Sequence, residues 1–391
     1  MRYVDTAISI RQAFKEVNRF EWEGDYRTAA RMAIKGVLEG KMSEYIADHL
    51  EEMALQGIAD RRNGGYERHI VTEAGDVVVA VQRTRLKSAR EVLRSFGRRS
   101  AVVDRMILEC FVLGLSTRKV GRALAGALGE KVSASTVSRV ARQLDSAVEA
   151  YHRRKVENRY HFLFFDGVVL KKRTGAGSRK RVVLVALGIT REGKKEVIDF
   201  KLAAGESQSA WEGFLNDLYR RGLTGEGVEL VVVDGGRGLL AGLNLVYGTI
   251  PLQRCWAHKT RNVLNYVRRG NQAKVKKDLH RISHASGSRE GERMYRRFVL
   301  KWRAQYPKAV ACLQKDIEHL CSFFAIPDDS LWRHIRTTNA IERRFVEVRR
   351  RTRPMGVFSD RTSMERILFA IFTYENTKEG VCTPLLLTQN S

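Results

Sequence analysis

Two apolar runs in this chain each stop on an Asp-Gly pair, and they constrain the fold more than any other feature. His161-Phe162-Leu163-Phe164-Phe165 leads into Asp166-Gly167, and Val228-Glu229-Leu230-Val231-Val232-Val233 leads into Asp234-Gly235. Short runs rich in aromatic and β-branched residues read as buried strands. The end of a strand in a sheet core is rigid, and a glycine beside it leaves room for a metal or a phosphate. If the two strands are neighbours their carboxylates meet, which is costly unless a divalent cation neutralises them. One Asp-Gly after a strand is usually a turn. Two of them, on strands able to lie side by side in a basic protein, make a site as credible as two turns.

The basicity is pronounced. The 391 residues, enough for two to four domains, carry 70 Lys+Arg against 44 Asp+Glu, a net +26. Such a chain seeks a polyanion, most economically a nucleic acid backbone. The charge is uneven: residues 1–82 hold 11 Lys+Arg and 14 Asp+Glu, a net −3, so +29 lies from Arg83 onward. The front piece therefore has another task, with subunit contact as the candidate. No apolar run approaches the roughly 18 residues of a membrane span, and Met1 to Phe20 lacks the plan of a signal peptide. Five scattered cysteines do not form a disulfide framework and suit a reducing cytoplasm.

Along the chain, Tyr26 to about Ala59 has helical spacing and predicts one or two amphipathic helices. The segment Arg62-Asn63-Gly64-Gly65-Tyr66 predicts a turn, and Asp76 to Val81 a strand, giving a small sheet element near residues 64–84. Three helices follow: Val102 to Gly114, then one capped at Ser116-Thr117 and stopping at Gly129, then one capped by Ser133 over Ala134 to Val140. Helix, short turn and a third helix presenting Ser135, Thr136, Ser138 and Arg139 form a helix-turn-helix pattern, with Val137 and Val140 inward. Beyond Tyr160, strands at Val182–Ile189 and Glu196–Ala203 join through the turn 191–194. A helix over Glu206–Arg220, the Asp234 strand, a helix over Gly238–Val246 and a strand over Ile250–Gln253 complete a mixed α/β order. From Val263 to Leu331 the chain reads as helical and basic. Helices return at Thr337–Arg351 and Ser363–Tyr374, and the tail after Asn376 reads as loose.

A third carboxylate stands in a different setting. Thr337-Thr338-Asn339-Ala340-Ile341-Glu342 opens a helix with Thr338 or Asn339 as its cap, and a capping role would by itself explain Glu342. The order along the chain is strand Asp, strand Asp, helical block, helix Glu. With Gly114-Leu115-Ser116-Thr117-Arg118, Ser135-Thr136-Val137-Ser138-Arg139, Arg254-Cys255-Trp256-Ala257-His258-Lys259 and Asn339-Ala340-Ile341-Glu342-Arg343, the chain resembles the Mutator-like bacterial insertion-sequence transposases. These are DDE enzymes with a ribonuclease-H-like core, and the resemblance spans nearly the whole chain. Gln82-Arg83 stands where relatives usually have Pro-Arg, and Ala134 where proline is common.

The resemblance implies a mixed α/β fold: a ribonuclease-H-like core interrupted by an all-helical insertion and preceded by a helical region with a helix-turn-helix. The expected parts are a helical segment 1–60, a β element 61–86 and a DNA-binding domain 87–155. After them come the first part of the core (156–262), the insertion (263–332), the second part of the core (333–377) and a flexible tail (378–391). It implies a catalytic and metal-binding triad of Asp166, Asp234 and Glu342, supported by Cys255, His258, Asn339 and Arg343. Two Mg²⁺ ions, replaceable by Mn²⁺, fit in-line phosphodiester chemistry. The partners implied are double-stranded DNA, as element terminal inverted repeats and as target, and a second copy of the chain, in a nucleoid-associated cytoplasmic setting. Candidate DNA contacts are Arg118, Ser135, Thr136, Ser138, Arg139, Lys171, Lys172, Arg173, Lys259, Arg349 and Arg350.

Two further readings carry less weight. Cys255, His258, His280 and His284 are zinc-compatible ligand types, but no knuckle-like turn joins them. The alternative is that Cys255 and His258 shape the active-site wall, so structural zinc is not expected. Trp302 and Tyr306 suit base stacking less well than core packing. The competing functions are a ribonuclease-H-like structure-specific nuclease, which cuts without joining, and a non-catalytic helix-turn-helix regulator, which has no use for the three carboxylates.

Overall fold

The computed structural model describes residues 21–93, 99–113, 115–128, 132–174, 177–353, 358 and 360–381. Their contacts form two compact units: residues up to Phe111 with Leu115–Ala141, and Val112–Gly114 with Arg142 onward. The division falls inside the segment 87–155, whose last helix belongs to the second unit.

In the first unit, α1 (Glu21–Leu55) is one unbroken helix. Its Leu38, Met42 and Ile46, spaced four apart on one face, are buried against Val77, Val79 and Val81. Those valines alternate along β2 (Gly75–Thr84), which pairs antiparallel with β1 (Arg62–Thr72). The glycine pair expected to turn lies within β1 instead, and the chain reverses at residues 73–74. Gly64 (φ +66°) and Gly65, packed onto the Val81 carbonyl, create an irregularity of register there. Glycine's conformational freedom serves a bulge as readily as a turn.

Three helices follow: α2 (Ala101–Val112), α3 (Thr117–Leu128) and α4 (Ala134–Ala141). Ser133 caps α4 as expected, its hydroxyl accepting from the Thr136 N–H at 3.1 Å, and Val137 and Val140 are buried. Gly121 of α3 has no side chain where the Val132 carbonyl packs against it. The expected helix stop at Gly129 lies outside the described residues.

The second unit begins with α5 (Leu144–Arg153) and is built on one five-stranded sheet. Its strands are β3 (Tyr160–Thr174), β4 (Gly177–Thr190), β5 (Lys195–Ala203), β6 (Leu230–Val233) and β7 (Leu252–Arg254), in the order β5-β4-β3-β6-β7. β3, β4 and β5 are antiparallel, whereas β6 runs parallel to β3 and β7 parallel to β6. On one face lie α6 (Gln208–Arg220) and α7 (Arg237–Val246), whose Trp211, Phe214, Leu215, Leu218, Leu239 and Leu243 pack on Leu163, Phe165, Val231 and Val233. The other face is also covered: α15 (Arg361–Lys378) sets Phe372 5.4 Å from Phe200 of β5, and Phe369 5.3 Å from Tyr151 of α5. A sheet covered on both faces needs apolar residues at successive positions, so the central strands read as continuous runs.

Two expectations are corrected here. β3 does not end at Asp166, because β4 pairs with it as far as Thr174. Nor is the chain loose directly after Asn376: α15 continues to Lys378, and the buried Asn376 amide donates to the Val197 carbonyl (3.0 Å) and accepts from its N–H (2.8 Å). That pairing covers part of an otherwise open sheet edge.

Between β7 and the last two helices stands a helical block comprising α8 (Trp256–Leu264), α9 (Arg269–Ser283), α10 (Ser288–Trp302), α11 (Pro307–Gln314), α12 (Ile317–Leu320) and α13 (Trp332–Ile335). It is moored to β7 by Gln253, which donates to the Leu320 carbonyl (3.0 Å) and accepts from Phe323 N–H (2.9 Å). Trp302 and Tyr306 are buried with ring centroids 5.8 Å apart, which makes them core residues. Among the described residues no helix is long and apolar enough to cross a membrane.

Candidate active site

The strand register assembles the site. Phe165 of β3 is level with Val233 of β6, and Val233 with Arg254 of β7. The residues that follow, Asp166, Asp234 and Cys255, therefore stand in a row at the carboxyl edge of the parallel strands, where open α/β sheets bind ligands. Asp166 lies inside β3 but beyond the last pairing with β6, so only its β4 flank is closed. The Gly167 N–H donates to Asp166 Oδ1 (2.7 Å) and the Gly236 N–H to Asp234 Oδ1 (2.9 Å). Burial, then the charge of Asp234, pushes the Asp166 carboxyl up to about 7.

Glu342 arrives on α14 (Asn339–Thr352), which packs against β3. Thr338 occupies the cap position, yet its hydroxyl does not cap the helix. It donates to Glu342 Oε1 (3.0 Å) and lies 3.3 Å from Cys255 Sγ, to which the Thr338 N–H also donates at 3.3 Å. Cys255 thus ties the end of β7 to the start of α14. His258, on the first turn of α8, places a buried Nδ1 3.6 Å from Glu342 Oε1. The Cys255 sulfur, opposed by burial and helped by the charges of Glu342 and Asp234, raises the His258 imidazole above its ordinary value. Burial alone would raise the Cys255 thiol, but hydrogen bonds with His258 and Thr338 outweigh it and lower it. Asn339 and Arg343 are exposed beside this cluster.

Sequence reasoning overlooked two contributors. Arg254 extends its guanidinium through the space that a side chain on Gly235 (φ +100°) would fill, with Nη2 3.4 Å from the Asp234 carbonyl. Its Nη1 is 3.3 Å from Asp316 of the helical block. Asp316 also pairs with Lys259, so this lysine, expected on DNA, is only 5% exposed and serves to neutralise a buried carboxylate. The second is Glu206, in the loop between β5 and α6. A Cβ on Gly167 would lie 2.5 Å from its Oε1, and one on Gly236 3.8 Å from its Oε2. Burial and the charge of Asp234 raise its pKa. The only sequence signal for either residue is the glycine that each one overlies.

The donor chemistry fits a hard divalent cation. Asp166, Asp234, Glu206 and Glu342 offer carboxylate oxygens, and Gly167 and Gly236 put no side chain among them. Among the described residues no Lys or Arg forms an ion pair with any of the four. Cys255, His258 and Glu342 bring their ligand atoms within 4.8 Å of one another. His280 and His284 are not part of that group and stack on each other, with centroids 3.4 Å apart.

The other expected DNA contacts lie in both units. In the second, Lys171 faces Lys180 and Lys172 faces Arg179 across the β3–β4 hairpin, with Arg173 beyond them. Arg349 and Arg350 are exposed on α14, Arg350 paired with Glu347 at 2.7 Å, while Arg344 is buried on Glu375 (2.8 Å). In the first unit, Arg118, Ser135 and Arg139 are exposed, and Thr136 and Ser138 are half-buried. The hydroxyls of Ser135 and Thr136 are engaged by Ser133. A groove of about 700 Å³ beside them is lined by Arg68, Arg90 and Arg99 together with Ser133 and Thr136.

Residues 5–379 match the family described as "Transposase, Mutator family". The chain is 28% identical over 356 residues to the transposase for insertion sequence element IS905 of Lactococcus lactis, covering 91% of this chain and 90% of the relative. It is 30% identical over 357 residues to the transposase for ISRM5 of Rhizobium meliloti, covering 90% and 89%. Over a shorter stretch of 170 residues it is 43% identical to the transposase for IST2 of Acidithiobacillus ferrooxidans, covering 44% of this chain and 57% of the relative.

Proposed function

The chain belongs to the Mutator family of transposases, and from that premise we propose that it binds the terminal inverted repeats of an insertion sequence and cleaves and joins DNA at an Asp166–Asp234–Glu342 site. The observation that carries this reading is the register that sets Asp166 and Asp234 level on adjacent parallel strands, with Glu342 tied to the same edge through Thr338 and Cys255. The sheet order, three antiparallel strands followed by two parallel ones with helices on both faces, supports a ribonuclease-H-like core.

The chain's own residues divide the work. Asp166, Asp234 and Glu342 would hold Mg²⁺, or Mn²⁺ in its place; when bound, a pair of such ions activates the attacking oxygen and stabilises the leaving one. Asp166, its carboxyl raised by burial and by Asp234, would give up its proton to hold a cation. His258 supplies the nearest positive charge to Glu342 without occupying its second oxygen. Arg254 fixes the Asp234–Gly235 turn from behind.

DNA is held outside this centre. Lys171 and Lys180, paired across the β3–β4 hairpin, repel one another in the free protein and are relieved by a phosphate backbone. The groove of the first unit adds three arginines beside α4, which supports reading α3 and α4 as the helix-turn-helix that meets the repeats. Holding two element ends requires at least a dimer. The exposed Tyr26, Met32, Val37 and Leu55 of α1 make that helix the candidate subunit contact, and assembly surviving its deletion would refute the assignment.

One assay decides between this reading and its competitors: labelled element ends and plasmid target with Mg²⁺, for wild type and Asp166→Asn. Strand transfer that disappears in the variant is the expected result. Cleavage without joining identifies a structure-specific nuclease, and binding alone identifies a regulator.

A further inference from the structure

Gly167, inside β3, leaves room for one carboxylate that the triad does not include. Glu206 precedes Ser207, the cap of α6, whose hydroxyl accepts from the Ala210 N–H at 3.2 Å. The cap fixes the backbone that carries Glu206, and Gly238 lets the start of α7 pack directly on the Glu206 carbonyl. From that base the side chain crosses to the two aspartates. Its Oε1 lies over Gly167, next to Asp166, where a Cβ would approach to 2.5 Å. Its Oε2 lies over Gly236, where a single Cβ would be 3.8 Å from Glu206 Oε2 and 3.7 Å from Asp234 Oδ1. No hydrogen bond or ion pair to the Glu206 side chain is found among the described residues, and the group is not one that a turn or a cap accounts for.

A carboxylate held beside two others with no protein cation to balance it is unfavourable by itself. Gly167 nevertheless leaves the space that the Glu206 carboxylate occupies, and Gly238 and the Ser207 cap set the backbone that carries it. We propose that Glu206, carried by the β5–α6 loop, is a fourth carboxylate of the divalent-cation site and would help Asp166 and Asp234 hold the ion. The inference rests on the metal-site reading above and extends it by one residue. Because Glu206 belongs to that loop and Glu342 to α14, the cation would join segments 136 residues apart in sequence, counted from 342 − 206. Loss of Glu206 should therefore loosen the ion while leaving the rest of the donor set in place.

The test is Mn²⁺ binding to the full-length protein without DNA, read by the free-ion paramagnetic resonance signal and by calorimetry. Wild type, Asp166→Asn, Glu206→Gln and Gly167→Ala are compared, each first shown by circular dichroism to be folded. Glu206→Gln should weaken Mn²⁺ roughly 10-fold or more, and so should Asp166→Asn. Gly167→Ala, which keeps all four carboxylates but displaces Glu206, should weaken it in the same direction. Wild-type affinity in Glu206→Gln with reduced affinity in Asp166→Asn overturns the inference alone and leaves the triad intact. Wild-type affinity in both overturns the inference together with the metal-site reading on which it stands.

Discussion

Asp199 on β5 and Asp166 on β3 lie in the same sheet, yet they have opposite surroundings. Asp199 is 1% exposed and satisfied on every side: His152 Nδ1 at 2.7 Å, the Arg221 guanidinium, and the Phe200 N–H at 2.7 Å. Around Asp166 the neighbours are Asp234, Glu206 and one backbone N–H, with His258 contributing the opposing charge. Where a charge serves the fold, this protein pairs it on the spot, as it also does for Asp316 with Lys259 and Arg254 and for Arg344 with Glu375 and Glu379. Where it leaves carboxylates unbalanced, the missing charge must come from outside the chain. The difference separates architecture from chemistry without reference to any relative.

The sharpest break of that comparison is a pair of substitutions. Asp166→Asn should lower strand transfer by about 10³-fold or more, since several kcal/mol of transition-state stabilisation depend on the bound ions. It should not reduce the stability of the metal-free protein, because it removes a repelled charge. Asp199→Ala should do the reverse. Stripping one partner from a buried ion cluster costs about 3–5 kcal/mol, visible as a lower urea midpoint, while activity per folded molecule persists. If both variants lose stability alike, the two clusters do not differ as argued.

A smaller effect follows from protonation. The folded Asp166 carboxyl titrates near 7, above its ordinary 3.8. Its contribution to stability is therefore complete below about pH 4 and is lost as pH rises through 7. In metal-free protein the stability difference between wild type and Asp166→Asn should shift against wild type over that window. Added Mg²⁺ should flatten the trend by taking the proton's place. Parallel pH profiles for the two proteins, with and without the ion, would contradict a cation-dependent role for the raised carboxyl.

Much of this arrangement is legible in the sequence, and the rest is not, for physical reasons. The two aspartates were readable because burial on both faces makes the run before Asp166 in β3 and the whole of β6 continuous apolar runs, with Asp-Gly as a visible break. Helix α6 was readable from the spacing of Trp211, Phe214, Leu215 and Leu218. The length of β3 was not, because its far end is the run Lys171-Lys172-Arg173, whose place in a strand depends on pairing with β4. Glu206 looked like the start of a helix because a residue's meaning at a loop depends on which distant glycines it covers. Lys259 looked like a DNA contact because its partner, Asp316, lies 57 residues away in the turn between α11 and α12. The glycine bulge at 64–65 looked like a turn because both need the same backbone freedom. Local periodicity reports which face is apolar; it does not report which charge meets which.

The smallest expected effect tests whether the unbalanced-charge rule holds for cations as well. On the β3–β4 hairpin Lys171 stands opposite Lys180, an arrangement that costs a few tenths of a kcal/mol, up to about 1. As with Asp166, the missing counter-charge is external, and here it would be phosphate. Lys171→Thr should therefore leave the free protein as stable or slightly more so, and it should weaken binding to element ends. The loss should be greatest at low salt, and the slope of log affinity against log salt should fall by about 0.9 for the one phosphate contact removed. Lys201→Thr on β5, where the amine donates to the Gly213 carbonyl at 3.2 Å, removes the same charge from a partnered position and should leave the slope unchanged. Equal slopes for the two variants would mean that the hairpin's charges are only part of a diffuse basic surface, and the comparison with the carboxylates would then stop at the active site.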